Sequence, residues 1–292
     1  MKRFRLRGRK RKNRAQNPDR IPLRALAPNA ITSLAACAGI TSICFSSEGR
    51  WIAALQALLL ACICDGMDGR VARLLKASSK LGAELDSLAD FVNFGVAPAM
   101  FMFFWLTGGP AHLDADGMRL AAPLVRATLG AALFYAMCDC FRLARFNTML
   151  EQPTLPYWKN YFLGVPAPGG CWMVLSPAIL SLALDAKGSA PALAAFLQNP
   201  FFGMAMLFLV GALMASRLPT ISLKHLHISR GAMLPVMAGL ILAAALLVSN
   251  FWLTLGLMGF GYILTVPITC AFFAKARAKY ERLQPVSEKV QG

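Results

Sequence analysis

Four aspartates recur at helical spacing in the segment DGMDGRVARLLKASSKLGAELDSLAD, residues 65–90. Asp65 and Asp68 are three residues apart, and Asp86 and Asp90 are four apart. Side chains three or four residues apart lie on the same side of a helix. Strongly apolar runs flank the segment, and carboxylates in such surroundings usually face a bundle interior or an aqueous cavity. The spacing therefore predicts two helices that each carry a face of carboxylates.

A short connection rich in basic side chains separates the two predicted helices, so we expect an antiparallel pair with facing acids. Four facing carboxylates repel one another unless cations lie between them. Oxygen donors of this kind suit hard divalent ions such as magnesium, manganese or calcium, and not zinc. Two such ions often assist phosphoryl displacement by holding charge on the attacking and leaving oxygens. No Ser-His-Asp or Cys-His arrangement in the sequence competes for a catalytic role.

Small and basic residues accompany the acids. Gly82 extends the acidic stripe of the second predicted helix. Gly69, Ala72 and Gly82 allow a bulky anionic ligand to approach the backbone, and Arg73 can pair with its phosphate. In a structural alternative, the acids only form ion pairs with neighbouring bases. A cation-coupled transporter, from another functional class, predicts acids near the middle of the bilayer and broken helices.

The elements that must position these residues are transmembrane helices. The chain is 57% hydrophobic and 15% charged, against about 25% charged in soluble domains. Apolar runs of about 18 residues or more can cross a bilayer as helices, and only helices fit this hydropathy. The sequence predicts an all-α polytopic membrane protein with about eight transmembrane helices, near 29–47, 51–69, 86–107, 120–141, 161–184, 199–216, 231–249 and 251–274.

Basic residues are concentrated on one side of the predicted membrane. With eight spans, 26 of the 30 Lys and Arg residues fall in the two tails and in the links on the same side. The positive-inside rule then places both termini and the acidic cluster at the cytoplasm. The basic arm 1–27 is expected to bind an anionic leaflet and no specific nucleic acid. We expect a membrane domain at 28–216, a link with two further helices at 217–274, and a basic tail at 275–292.

The pattern DxxDGxxAR(x8)GxxxDxxxD in residues 65–90 resembles the signature of the CDP-alcohol phosphatidyltransferase family. The resemblance covers roughly residues 28–216 and implies that the first six helices form the family's bundle. It implies a site that holds two Mg²⁺ or Mn²⁺ ions, binds a CDP-linked lipid and transfers its phosphatidyl group to an alcohol, releasing CMP. The implied metal ligands are Asp65, Asp68, Asp86 and Asp90, with Asp90 also the catalytic base, and the implied CDP-lipid contacts are Gly69, Ala72, Arg73 and Gly82.

Further segments bear on the acceptor alcohol. Residues 86–99, 142–147, 164–170 and 216–224 are similar to bacterial members of the family that act on L-serine. The similarity implies CDP-diacylglycerol and L-serine as substrates, a homodimer, and a bacterial inner membrane. Glycerol 3-phosphate, an inositol compound or choline are alternative acceptors. For the cations in the pocket, anchoring of helix ends is the alternative role. The candidate residues for a serine or phosphate pocket are Asn93, Arg142, Arg145, Asn147, Arg217 and Lys224.

Overall fold

The chain is almost wholly helical in the residues that a computed structural model describes, which are 26–77, 79–108, 122–149, 161–221 and 233–283. A π-helical segment, Phe91–Val96, joins α3 to α4. Two short strands, β1 (Tyr161–Leu163) and β2 (Pro219–Ile221), pair antiparallel. The helices are α1 (Leu26–Ser47), α2 (Trp51–Leu74), α3 (Lys80–Asp90), α4 (Ala97–Thr107), α5 (Ala122–Met149), α6 (Ala167–Asp185), α7 (Pro191–Leu197), α8 (Pro200–Ala215), α9 (Met233–Ser249) and α10 (Phe251–Leu283).

Helix length and hydropathy indicate an integral membrane protein. Within the described residues, six helical segments are long and apolar enough to cross a membrane, including the continuous segment from Lys80 to Thr107. Helices α7 and α8 meet at a bend of 55° and would together make a seventh span. Helix α9 is apolar but has only 17 residues. The predicted all-helical membrane class is confirmed, whereas the predicted count of eight spans is not.

Several predicted spans differ from the observed helices at their ends, and the fifth and the last show why. The fifth was expected to begin at residue 161, but α6 begins at Ala167 because β1 and Pro166 come first. Pro166 is extended, with φ −63° and ψ 145°, and Pro168 lies in the first turn, where its missing N–H is tolerated. The last helix was expected to end at 274. It continues to Leu283, because the sequence KARAKYERL consists mainly of strong helix formers.

Three helix pairs make the most extensive contacts: α1 with α2, α5 with α8, and α6 with α10. Helix α6 lies centrally, and most of its residues are buried. Its side chains Met173 and Ile179 join Phe101 and Tyr135 in the main hydrophobic core. Helices α1 and α3 also pack together. Helix α1 therefore packs against both acid-bearing helices, α2 and α3.

The π-helical segment begins immediately after Asp90, the last residue of α3. The buried Tyr135 of α5 donates a hydrogen bond from its hydroxyl to the Phe94 carbonyl oxygen, at 2.9 Å. A Cβ on Gly95 would lie only 2.8 Å from Oδ2 of Asp139. Single π-helical turns are frequent at functional sites. Here the turn brings its backbone against α5, directly beyond the second acidic helix.

A tight turn connects the ends of α5, α6 and α8. The Gly164 N–H donates to the Leu218 carbonyl at 2.8 Å, and the Thr220 hydroxyl donates to the Gly164 carbonyl at 2.7 Å. Gly164 has a φ of +75°, and a Cβ there would lie 2.7 Å from the Met214 carbonyl oxygen. Only glycine satisfies both conditions. The turn therefore fixes β1 to the chain that follows α8.

Candidate active site

Three of the four predicted carboxylates converge. Asp65 and Asp68 lie on α2 and Asp86 lies on α3, and each offers a carboxylate oxygen within 4.8 Å of the others. The turn between the helices is set by Ser79, which is extended and caps α3 by accepting a hydrogen bond from the Gly82 N–H at 3.0 Å. Serine is a favoured residue at this position, because its oxygen satisfies a helix N–H that has no partner in the helix.

Helix α1 contributes a residue that the sequence did not reveal. The Thr32 hydroxyl donates to Oδ2 of Asp68 at 2.6 Å. Asp68 is only 4% exposed, so this hydrogen bond holds a buried carboxylate in a fixed orientation. Thr32 is 36 residues from Asp68 in the chain, and nothing in its local sequence indicates the contact. The sequence shows only that Thr32 is one of the few polar residues at the start of an apolar run, which does not identify its partner.

A cavity of about 220 Å³ opens beside the three acids, between the start of α1, the end of α2 and the start of α3. A Cβ on Gly82 would lie 2.8 Å from Oδ1 of Asn29, so the helices approach closely there. A Cβ on Gly69 would meet no described atom within 4 Å, so its missing side chain leaves open space. The lining includes all four predicted CDP-lipid contacts; it consists of Pro28, Asn29, Thr32, Asp68, Gly69, Ala72, Arg73, Ala77, Ser79, Gly82, Ala83 and Asp86.

Arg73 is the cation of this cavity. Its Nε donates to the Gly69 carbonyl at 3.0 Å, one helical turn earlier on α2, and its side chain is exposed. This hydrogen bond uses one of the five N–H donors of the guanidinium group. The others can bind an oxyanion in the fork-like geometry that suits phosphate. The wall of the cavity thus combines an anion-binding group, Arg73, with two acids of the cluster, Asp68 and Asp86.

Asp90 lies beside the three acids but is not one of the set whose carboxylate oxygens all lie within 4.8 Å of one another. It ends α3, and the charges of Asp65, Asp86 and Asp139 act on its carboxyl group. Its Oδ1 is buried and has no hydrogen-bond partner among the residues that the structure describes. The structure therefore separates the predicted set of four into three convergent carboxylates and one adjacent acid.

Asp139 is a further acid near the cluster, and the sequence analysis missed it. It lies on α5 and is 0% exposed, and its Oδ1 lies 4.0 Å from Nη1 of Arg142. Neither of its carboxylate oxygens has a hydrogen-bond partner within the described part of the chain. The available signal was an aspartate inside an apolar run, with an arginine three residues later. It was overlooked because it stands far from residues 65–90 in the sequence.

Arg145 has a clear structural role. Its Nη1 donates to the Ala215 carbonyl and its Nη2 to the Ser216 carbonyl, both at 2.9 Å. These carbonyls lie at the carboxyl end of α8, where helix carbonyls lack partners and a cation is favourable. The geometry therefore favours Arg145 as a link between α5 and α8 over its predicted place in a serine or phosphate pocket.

The other predicted pocket residues lie in different surroundings. Asn93 is buried and faces α1, since a Cβ on Gly39 would overlap its amide oxygen. Asn147 is exposed and donates to the Ser87 hydroxyl at 3.0 Å, which ties α5 to α3. Arg217 is exposed. Lys224 lies outside the described residues. Of the predicted pocket, Arg142 is the cation on which the charge of Asp90 acts.

The three convergent carboxylates fit a hard divalent cation. Carboxylate oxygens are the ligands that Mg²⁺ and Mn²⁺ prefer, and three of them within 4.8 Å of one another could share an ion. Asp68 already has the oriented hydrogen bond that is typical of a metal ligand, because outer partners of this kind fix the ligand's position.

The Thr32→Val substitution tests the contribution of α1 to this cluster. Valine keeps the shape of threonine but removes the hydroxyl that donates to Asp68. We expect the affinity for Mn²⁺ to fall about 10- to 100-fold, as for other lost partners of metal ligands. Titration calorimetry of the purified protein with MnCl2 measures this directly.

Thr32→Ser is the matched control, because it keeps the hydroxyl, and it should bind Mn²⁺ nearly as tightly as the original chain. The effects of Thr32→Val and Asp68→Asn should also be non-additive, since the threonine acts through that aspartate. Equal Mn²⁺ affinities for Thr32→Val and Thr32→Ser would show that the hydroxyl does not support a metal ligand.

Comparison with known proteins identifies related sequences. The sequence profile described as CDP-alcohol phosphatidyltransferase matches residues 25–214, and a second, described as CDP-alcohol phosphatidyltransferase 2, matches residues 232–267. The first match includes every helix that carries the acidic cluster and its cavity.

Several relatives carry the name CDP-diacylglycerol–serine O-phosphatidyltransferase, and three of them illustrate the similarity. The protein from Mycobacterium leprae is 42% identical over 164 residues, which are 55% of this chain and 49% of the relative. The protein from Helicobacter pylori J99 is 34% identical over 162 residues, 56% of this chain and 59% of the relative. The protein from Saccharomyces cerevisiae is 39% identical over 126 residues, 41% and 39% of the two chains. The chain spans about half the length of the bacterial relatives it matches.

Proposed function

Because this chain belongs to the CDP-alcohol phosphatidyltransferase family, we propose that it is a phosphatidylserine synthase of phospholipid biosynthesis. It transfers the phosphatidyl group of CDP-diacylglycerol to the hydroxyl of L-serine and releases CMP. The observation that carries the proposal is the convergence of Asp65, Asp68 and Asp86, two of which, Asp68 and Asp86, line a cavity together with Arg73. The serine specificity is supported by the names of the relatives.

The acidic cluster would hold one or two Mg²⁺ or Mn²⁺ ions through Asp65, Asp68 and Asp86, with Asp90 beside it as the base. A bound divalent cation would offset the charge of the pyrophosphate and of the leaving oxygen. Arg73 binds a phosphate of the CDP group. The open space at Gly69 and Ala72 admits the nucleotide.

The reaction is a single displacement at the phosphorus that carries the diacylglycerol oxygen. The serine hydroxyl oxygen attacks this phosphorus, a new P–O bond forms, and the P–O bond to CMP breaks. Asp90 takes the proton of the attacking hydroxyl. Its position supports this role, because its buried Oδ1 has no hydrogen-bond partner in the described ranges, so this oxygen is available to accept the proton.

The orientation in the membrane follows from the basic residues. With both termini in the cytoplasm, the end of α2 and the start of α3 face the compartment that supplies serine and receives CMP. The lipid substrate enters from the bilayer between helices. We place the protein in the bacterial inner membrane as a homodimer, with domain boundaries at 27, 216 and 274, in line with the family resemblance.

An assay of purified protein with each alcohol tests the proposal. CDP-diacylglycerol and Mn²⁺ or Mg²⁺ are supplied with L-serine, glycerol 3-phosphate, inositol or choline, and CMP is measured. We expect CMP release with L-serine only. Turnover with a different alcohol alone would keep the family chemistry and overturn serine as the acceptor. An absence of turnover with every alcohol, together with cation flux in proteoliposomes, would replace the enzyme with a transporter.

A further inference from the structure

Asp139 and Arg142, one turn apart on α5, form a buried pair of opposite charges whose nearest atoms are too far apart for a hydrogen bond. Asp139 is 0% exposed and the Arg142 side chain is 15% exposed, yet their nearest atoms are 4.0 Å apart. Both oxygens of Asp139 and the Nε of Arg142 are buried without a hydrogen-bond partner among the described residues. The pair therefore has both acceptors and a donor that can bind a further group.

A purely structural ion pair does not account for this arrangement. Burying two charges is unfavourable unless short hydrogen bonds satisfy their remaining donors and acceptors. Buried charged groups that lack such bonds are rare and indicate a missing partner, such as water, an ion or a ligand. Arg145 meets this requirement a turn later through its bonds to α8, whereas the Nε of Arg142 has no such bond among the described residues.

The pair lies beside the proposed catalytic base. The charge of Asp139 acts on the carboxyl group of Asp90, and the charge of Asp90 acts on the guanidinium group of Arg142. The π-helical turn after Asp90 brings Gly95 against Asp139, where any side chain would collide with Oδ2. The base and the pair therefore lie close together, because Asp90 immediately precedes the turn that packs against Asp139.

We propose that Asp139 and Arg142 are the subsite that binds the zwitterionic part of the acceptor. Asp139 accepts hydrogen bonds from the α-ammonium group, Arg142 donates to the α-carboxylate, and the hydroxyl is directed to Asp90. The assignment rests on the proposed function and names its acceptor class, a β-hydroxy α-amino acid. It also predicts selection against phosphorylated acceptors, because a phosphate beside Asp139 would meet a like charge.

Acceptor analogues that lack one charged group test this assignment. 3-Hydroxypropionate lacks the ammonium group, and ethanolamine lacks the carboxylate. The protein should prefer L-serine to each of them, measured as a ratio of kcat/KM for CMP release. Asp139→Asn should raise the KM for L-serine about 10- to 100-fold, as expected for loss of a buried charged hydrogen bond, with little change in the KM for CDP-diacylglycerol.

The two variants should also differ in which preference they lose. Asp139→Asn should reduce the preference for L-serine over 3-hydroxypropionate, and Arg142→Gln should reduce the preference over ethanolamine. General damage to the fold would lower all rates without this crossed pattern. Arg126→Gln, an exposed cation on the same helix, is the matched control and should change neither preference.

The possible outcomes distinguish a failure of the subsite from a failure of the proposed function. Turnover of L-serine with both preferences unchanged in the two variants would overturn the subsite and leave the function intact. An original chain that uses 3-hydroxypropionate as well as L-serine would overturn the subsite without any variant. A chain that does not turn over L-serine at all would overturn both.

Discussion

Asp90→Asn is expected to lower the rate of CMP release about 10²- to 10⁴-fold, the usual range for loss of a general base. Asparagine has nearly the shape of aspartate but cannot accept the proton of the attacking hydroxyl. The three convergent carboxylates are unchanged in this variant, so the loss should fall on kcat, with little change in the KM for CDP-diacylglycerol. A CMP release assay at saturating CDP-diacylglycerol, L-serine and Mn²⁺ measures it.

Glu84→Gln is the matched control for this experiment. Glu84 lies on the same helix as Asp90 but is exposed, so its replacement should leave kcat within about two-fold, as is usual for surface changes remote from a site. Asp90→Asn should still bind Mn²⁺ through Asp65, Asp68 and Asp86. Near-normal turnover in Asp90→Asn would remove the catalytic base from the proposal and leave the metal cluster in place.

Asp90 occupies a junction in the fold. It is the last residue of α3 and the residue before the π-helical segment. The acidic cluster and the cavity lie toward α1 and α2, and the pair formed by Asp139 and Arg142 lies on α5. In the proposed function, residues before this junction bind the donor substrate, and the pair on α5 binds the acceptor. This position is the one that a base between two substrates requires.

Helical periodicity explains what the sequence could predict. Asp65, Asp68 and Asp86 are held by two helices and a short turn, so spacing alone was enough to bring them together. The apolar runs were likewise sufficient for the helical membrane class, because the length of an apolar helix follows directly from the bilayer. Both inferences depend only on local sequence.

Contacts between distant segments explain what the sequence could not predict. Thr32 hydrogen-bonds to Asp68 only because α1 packs along α2. Asp139 lies near Asp90 only because α5 packs against the π-helical turn. Arg145 was predicted in a pocket from its charge, but its partners are carbonyls of α8, some 70 residues away in the chain. No periodicity within one segment indicates such partners.

Asp86→Asn should weaken the acidic cluster in a way that differs from the loss of Asp90. The substitution replaces one of three convergent carboxylates by a neutral amide, so fewer anionic oxygens remain to hold a divalent cation. We expect Mn²⁺ affinity to fall on the order of 100-fold or more, beyond the 10- to 100-fold effect of losing an outer partner. Titration calorimetry with MnCl2 measures the affinity, and Glu84→Gln, with an unchanged affinity, is again the control.

The dependence of activity on metal concentration then separates the two aspartates. CMP release by Asp86→Asn should rise as Mn²⁺ is increased, because a weakened site can still be filled by mass action. CMP release by Asp90→Asn should stay low at every Mn²⁺ concentration, because the missing group is a base and not a ligand. An unchanged Mn²⁺ affinity in Asp86→Asn would show that the convergent carboxylates are not the metal site. A recovery of Asp90→Asn at high Mn²⁺ would instead make Asp90 a fourth ligand, and the proton of serine would then need another acceptor.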